Sequence, residues 1–274
     1  MARHRQGKGR EGPAMLHCVM ARTPCLLALS ALLLALLASC RSLPAPPPAR
    51  AAEGERTESA PIHIEALHRA DSGPGWTWSA DYPGIAAAPA VDALIRSWIV
   101  DSIGSFLAES AANREAWEAL ASPEEKALAR PPHDMRIDWR AEDAGPHRLS
   151  LLLHRYRWIG GAHGDDALLS VNYDLREARF LGLADILAAG GAPERESQIL
   201  VALSRLARVE LERRFGRDKA SLAWIEEGTA PIPTNYSCFT FDRRRLILHF
   251  AKYQIGPGSL GLVDLVVPLD SPDL

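Results

Sequence analysis

Cysteine is scarce where it would count. The 274-residue chain has four, and Cys18, Cys25 and Cys40 fall in its first forty residues, leaving Cys238 alone beyond them. One thiol closes no intramolecular disulfide, so the bulk of the chain has to rely on an apolar core. Metal-site spacings are missing as well: there is no Cys-x2-Cys and no His-x3-His, the patterns that bring zinc ligands together. No glycine-rich phosphate loop with its lysine occurs, and no basic stripe interleaved with aromatics, which excludes the usual nucleotide and nucleic-acid apparatus. Gly-x-Ser-x-Gly fails at Ser259, because Pro257 stands two residues before it. The longest apolar run, residues 26–37, is well short of the ~20 residues a spanning helix needs.

What is present at the start is an address. Arg22 precedes the apolar run, and Ala38-Ser39-Cys40 follows it; a basic flank, a short apolar segment and small residues make an export signal over residues 1–40. Leu37-Ala38-Ser39-Cys40 resembles a bacterial lipobox, which implies that Cys40 is acylated and holds the protein on a membrane. Arg41 stands where an inner-membrane retention aspartate would, so the resemblance leans to the periplasmic face of the outer membrane. Met15 or Met20 would each open a more ordinary signal than Met1. Removing residues 1–40 leaves 26 Lys/Arg against 33 Asp/Glu, a net charge of −7. That balance argues against nucleic acid and suits a basic partner.

Residues 41–60 are Pro- and Ala-rich with almost no large apolar side chain, the composition of a disordered tether. Beyond it, alternation predicts strands at residues 61–68 and 75–83. Val91, Leu94, Ile95, Trp98, Ile99, Ser102, Ile103 and Phe106 then fall at helical spacing and predict a helix with one wide apolar face over 89–107, with 113–120 as a candidate continuation. Ser122-Pro-Glu-Glu125 has the form of a capped helix start. The period returns to two for 135–139, 148–156, 168–174 and 178–181. A short turn at 183–187, a second long helix over 194–215 and a shorter one over 219–227 follow, and strands at 238–241, 246–250 and 262–267 close the chain. The expected fold is α+β: antiparallel sheet packed against two long helices. It divides into subdomains 61–165 and 166–274, packed as one unit.

Two segments stand out, Tyr156-Arg-Trp-Ile-Gly-Gly-Ala-His-Gly164 and Tyr253-Gln-Ile-Gly-Pro-Gly-Ser-Leu-Gly261. Each follows an apolar strand and packs glycine where the backbone needs positive φ or close approach. With Asn172-Tyr173-Asp174, Leu183-x-Asp185-Ile186 and Val266-Val-Pro268, they resemble the RsiV/PdaC-type extracytoplasmic domain family. The resemblance spans about residues 61–270. It implies an exposed domain outside the cell; in the anti-sigma factor RsiV that domain binds lysozyme, and in PdaC the catalysis belongs to a separate deacetylase domain. This chain resembles the extracytoplasmic module alone.

Candidate binding residues are therefore Tyr156, Gly160, Gly161, His163, Tyr253 and Pro257. No catalytic residue, cofactor or metal is expected. His163 is read first as a turn residue, with a partner contact as its functional alternative, and behind them a catalytic base or a metal ligand together with His154, Asp165 and Asp166. Trp76, Trp78 and Trp158 are read as core before sugar platform, Asp165 and Asp166 as a solvated turn, and Cys238 as a buried thiol. The expected function is a lipid-anchored binding or sensing module of the cell envelope, for a basic protein such as lysozyme or for peptidoglycan. The alternative is an enzyme or accessory factor acting on peptidoglycan glycan.

Overall fold

Glycine at the first hairpin turn decides where the sheet begins. In this computed structural model, which describes residues 61–126, 131–187 and 193–271, Gly75 takes φ 77°, a conformation open to glycine without a Cβ penalty. It closes β1 (Glu65–Gly73) against β2 (Trp76–Gly84), antiparallel from Glu65 opposite Gly84 to Gly73 opposite Trp76. The strand expected over 61–68 starts later. Ile62 and Ile64 pack against the core ahead of it, and β1 itself is mostly exposed because it is the sheet's edge.

The next helix, α1 (Pro89–Leu120), is a single element of 32 residues. Its buried stripe of Val91, Ile95, Ile99, Ser102, Phe106 and Ser110 keeps the three-to-four spacing that one helix face requires. The helix carries the chain back across the sheet, so β3 (His133–Ala144) pairs with β2 in parallel, Trp76 opposite His133 and Ala80 opposite Ile137. This corrects the expectation of a purely antiparallel sheet: a long crossover returns the chain in the same direction, where a tight turn would reverse it. Between them α2 (Pro123–Lys126) starts as expected, with Ser122 Oγ accepting from the Glu125 amide at 3.2 Å and Glu125 Oε2 accepting from the Ser122 amide at 2.8 Å.

From β3 the chain meanders through β4 (Arg148–Trp158), β5 (Asp165–Asp174) and the two-residue β6 (Arg179–Phe180), all antiparallel, giving a six-stranded sheet in sequence order. Tyr82, Met135, Ile137, Leu149, Leu151, Leu153 and Val171 turn one face towards α1, where Val91, Ile95, Ile99 and Phe106 meet them in the first core.

A second layer follows: α3 (Leu183–Leu187), α4 (Pro193–Phe215), α5 (Lys219–Gly228), and a three-stranded antiparallel sheet of β7 (Phe239–Phe241), β8 (Arg245–Phe250) and β9 (Val263–Pro268). Leu203, Ala207 and Leu211 of α4 and Ile225 of α5 bury against Phe241, Leu246, Leu248 and Leu265. The Gly216 that ends α4 is there for space: a Cβ would stand 2.6 Å from the Glu212 carbonyl oxygen. The two cores divide between Leu175 and Leu181, so the division at 165/166 moves. β5 and β6 are hydrogen-bonded into the first sheet and cannot belong to the second. All described residues lie in one compact unit.

The layers are joined by polar side chains. Leu149, Leu151, Val171 and Tyr173 face α1, so alternation sends Ser150, Ser170 and Asn172 to the other face. There they bond the edge of β7: Phe239 N donates to Ser170 Oγ (3.3 Å), Asn172 Nδ2 donates to Phe239 O (2.8 Å) and Phe241 N donates to Ser150 Oγ (2.9 Å). Ser150 Oγ donates in turn to Asn172 Oδ1 at 2.7 Å. An edge strand that would otherwise bury unpaired amides is thereby satisfied. Among the described residues no helix is long and apolar enough to cross a membrane. Cys40, the export signal and the tether lie outside those residues.

Candidate functional site

The first glycine segment is the turn from β4 to β5. Gly160 and Gly161 take φ 108° and 86°, values that L side chains rarely adopt. Two side chains hold the turn: Trp158 Nε1 donates to Gly161 O at 3.1 Å, and Asn113 of α1 donates to Ile159 O at 2.6 Å. Tyr156 lies over the backbone of Gly164, where a Cβ would enter its ring.

The second segment follows β8 and is built the same way, with a tyrosine laid on a glycine. A Cβ on Gly258 would stand 2.5 Å from the Tyr253 ring. Gln254 fixes the loop, donating to Gly228 O (3.1 Å) and Asn235 O (3.0 Å). Pro257, with φ −62°, leads into the single 3-10 turn Gly258–Leu260, and Ser259 is a turn residue within it. Tyr253 itself has φ 69°, strained backbone for a bulky residue, and the residue is 48% exposed.

The fold brings the two loops together. Tyr253 Oη lies 3.2 Å from His163 Nε2, with the rings 6.2 Å apart. Beside them Lys252 Nζ donates to Gly164 O at 2.5 Å and sits 3.7 Å from Asp166 Oδ2. Asp166 Oδ1 pairs with His154 Nε2 at 2.8 Å, and His154 Nδ1 reaches Asp138 Oδ2 at 3.4 Å. So Tyr156, Gly160, Gly161, His163, Tyr253 and Pro257 do share one region. Lys252 and Asp138 join them, neither of which stood out in the sequence. Lys252 could have been suspected only as a lysine directly before the strained tyrosine.

The metal reading does not hold together. Asp165 and Asp166 point to opposite faces: Asp165 meets Arg157 at 3.2 Å and Arg155 at 3.6 Å, while Asp166 meets His154. His163 is engaged with Tyr253. Among the described residues no group of three His, Cys, Asp or Glu side chains is placed to hold a metal ion. Arg155 is held below the usual arginine range by burial and by the neighbouring Arg157 charge.

One arrangement looks catalytic and is not placed to act. His249 sits between Asp264 Oδ1 (2.7 Å) and Thr240 Oγ1 (2.8 Å), and Arg140 Nη2 donates to Asp264 Oδ2 at 2.7 Å. That is the order carboxylate, imidazole, hydroxyl, but Thr240 is fully buried and the His249 side chain has no exposed surface. No substrate reaches the hydroxyl. Burial pulls the Asp264 carboxyl up, yet the His249 hydrogen bond and charge, with Arg140, outweigh it and hold the group below its ordinary value. Nearby, burial pushes the Cys238 thiol up to about 11, despite a hydrogen bond from Ser170, which makes it a poor nucleophile. The tryptophans form no shared platform: Trp78 is in the core, Trp76 packs over Gly73, and Trp158 turns to Gly161.

Residues 184–270, the whole second layer from α3 to β9, match a family model described as a protein of unknown function (DUF3298). The match begins just past the boundary between the two cores, so the first glycine loop lies outside it and the second inside. The chain is 26% identical over 207 residues to the peptidoglycan-N-acetylmuramic acid deacetylase PdaC of Bacillus subtilis strain 168, a similarity covering 75% of this chain. It spans about 40% of that protein's length. A DUF3298 family member from Bacteroides fragilis shares the fold, with a TM-score of 0.54 at 17% identity, over 77% of this chain and 92% of the other. The likeness is one of fold, here α+β with two sheets and helices.

Proposed function

We propose that this protein is a non-catalytic binding module of the cell envelope, and that its ligand is a basic, lysozyme-like muramidase. The observation that carries the reading is Tyr253: a strained, half-exposed aromatic held against His163 of the other glycine loop. Strain of this kind persists only where surrounding structure over-determines it, and it concentrates where function needs a fixed side chain. Exposed rigid tyrosine is a favoured anchor in protein interfaces. The surplus of acidic residues beyond residue 40 would draw in a basic partner. Similarity to PdaC supports an extracytoplasmic setting, and the lipobox supports anchoring through Cys40 on the outer-membrane side.

The reading is tested by muramidase activity on a cell-wall suspension. Added protein is expected to slow clearing, and the Tyr253→Asn variant to slow it far less, asparagine being a residue that tolerates positive φ. Clearing at an unchanged rate with wild-type protein in excess contradicts the proposal.

A further inference from the structure

Three hairpin turns close one end of the fold, and arginine gathers there. The β3–β4 turn leads into Arg148, the β5–β6 turn holds Arg176, and the β7–β8 turn leads through Arg243 and Arg244 to Arg245. All five are exposed. Arg148 stands opposite Asp174 in the β4–β5 register and lies over the Phe241 ring, 5.9 Å from its centre, while Arg176 donates to the His147 ring at 2.9 Å. The β7–β8 turn is held by Asp242, whose amide donates to Arg245 O at 2.9 Å and whose Oδ1 accepts from the Arg244 and Arg245 amides, both at 2.8 Å. The two loop positions it leaves favour asparagine and glycine, so the turn itself does not call for Arg243 and Arg244. Among the described residues Arg245 pairs with Asp242, and no carboxylate pairs with Arg243 or Arg244. The Asp174 carboxylate is likewise taken up by a turn, accepting from the Arg176 and Glu177 amides. Beside these turns Phe180 is 47% exposed.

We propose that this end of the domain docks on the anionic lipid headgroups of the membrane that carries it. The inference rests on anchoring through Cys40 and adds a second, protein-borne contact to it. Guanidinium groups without a partner suit phosphate oxygens, and each basic residue near an anionic surface adds to the attraction. Phe180 supplies an apolar ring for the interfacial zone. The entry of the chain favours a lipid surface over another polyanion. Glu65 stands opposite Gly84, and β2 runs parallel to β3, so the chain enters the sheet at the end where β3 turns into β4. Residues 41–60 separate Cys40 from the first described residue, a reach of ~70 Å at most. The surplus of acid beyond residue 40 disfavours the approach of the remaining faces to the same surface. Orientation follows from β4, whose 11 residues span roughly 35 Å from Arg148 to the first glycine loop. Docked by its arginines, the domain holds Tyr253 and His163 away from the bilayer, where a soluble partner arrives.

The test is co-sedimentation with vesicles, of phosphatidylcholine alone and of phosphatidylcholine mixed with phosphatidylglycerol. Both cores lie wholly beyond residue 60, so the chain from Arg41 onward holds all that folds the domain and carries no acyl group. It is expected to bind the anionic vesicles and not the neutral ones, more weakly at about 200 mM than at about 50 mM salt. The double variant Arg243→Gln/Arg244→Gln should weaken that binding by at least about tenfold, the combined scale of two basic residues at an anionic surface. Arg217→Gln, an exposed arginine just past α4, should change it little. Circular dichroism and thermal melting establish that each variant is folded. Binding to neither vesicle, equal binding to both, or anionic-vesicle binding that survives the double variant would each overturn the proposal. Capture by soluble dextran sulfate without vesicle binding would assign the arginines to another polyanion and overturn it too. Anchoring is read separately, by whether Cys40→Ser releases the protein from membranes in cells.

Discussion

The side-chain amide of Asn172 donates to the Phe239 carbonyl at 2.8 Å, and both groups are buried. Through that bond, and through Ser150 behind it, the edge of the second sheet is seated on the first. Asn172→Ala leaves the Phe239 carbonyl and the Ser150 hydroxyl short of a partner, and is expected to cost about 1–3 kcal/mol in urea unfolding. A change within about 0.5 kcal/mol, the scale of surface substitutions, would show that the relay is not what joins the layers.

Gly228 and Gly161 separate two reasons for glycine. At Gly228 a Cβ would run into the backbone carbonyl of Gln254, in the loop that carries Tyr253. Gly228→Ala is therefore expected to cost about 1–3 kcal/mol by overpacking and to weaken partner binding as well. At Gly161 nothing lies near a Cβ, but φ is 86°, so Gly161→Ala should cost about 1–2 kcal/mol from backbone strain alone. Thermal melts of the two variants, read beside the clearing assay, check both expectations.

Much of this architecture could be read from the residues themselves. The Ser122–Glu125 box, the apolar stripe from Val91 to Phe106 and the alternating strands of the meander act locally, and local patterns predict local structure. The extension of α1 to Leu120 is harder to read, because its far half trades apolar residues for the buried Ser110 and for Asn113, which reaches the Ile159 carbonyl across 46 residues. The parallel β2–β3 pair was not legible either. Alternation fixes which face a side chain takes and carries no information on which strand lies beside it. In the site, the glycines announced themselves, whereas Lys252 meeting Gly164 across 88 residues depends on how two layers dock.

Acid stability isolates Asp264. Its pKa is depressed below the ordinary 3.8, so its ionised form stabilises the fold fully above that value. The contribution is lost as pH falls through the lower, folded value. The stability gap between wild type and Asp264→Asn should be full at about pH 5 and close progressively below about pH 4. A gap that stays constant into that range would mean that the His249 and Arg140 contacts do not favour the charged form.

Cys238 gives an optical reading of the same region. With the half-buried thiol pushed up to about 11, the folded protein holds far less thiolate at neutral pH than the unfolded chain. A chromogenic disulfide reagent is expected to react slowly in buffer and rapidly in denaturant. Full-rate reaction in buffer would contradict the shielding of this half-buried thiol.

The most direct measurement is a calorimetric titration of the protein with a lysozyme, at about 50 mM and about 200 mM salt, repeated with Tyr253→Asn. The account predicts saturable binding in the micromolar range or tighter, weaker at the higher salt because opposite charges meet, and weaker by at least about tenfold in the variant. A flat trace from folded protein, or undiminished binding by Tyr253→Asn, would contradict the role assigned to the paired glycine loops.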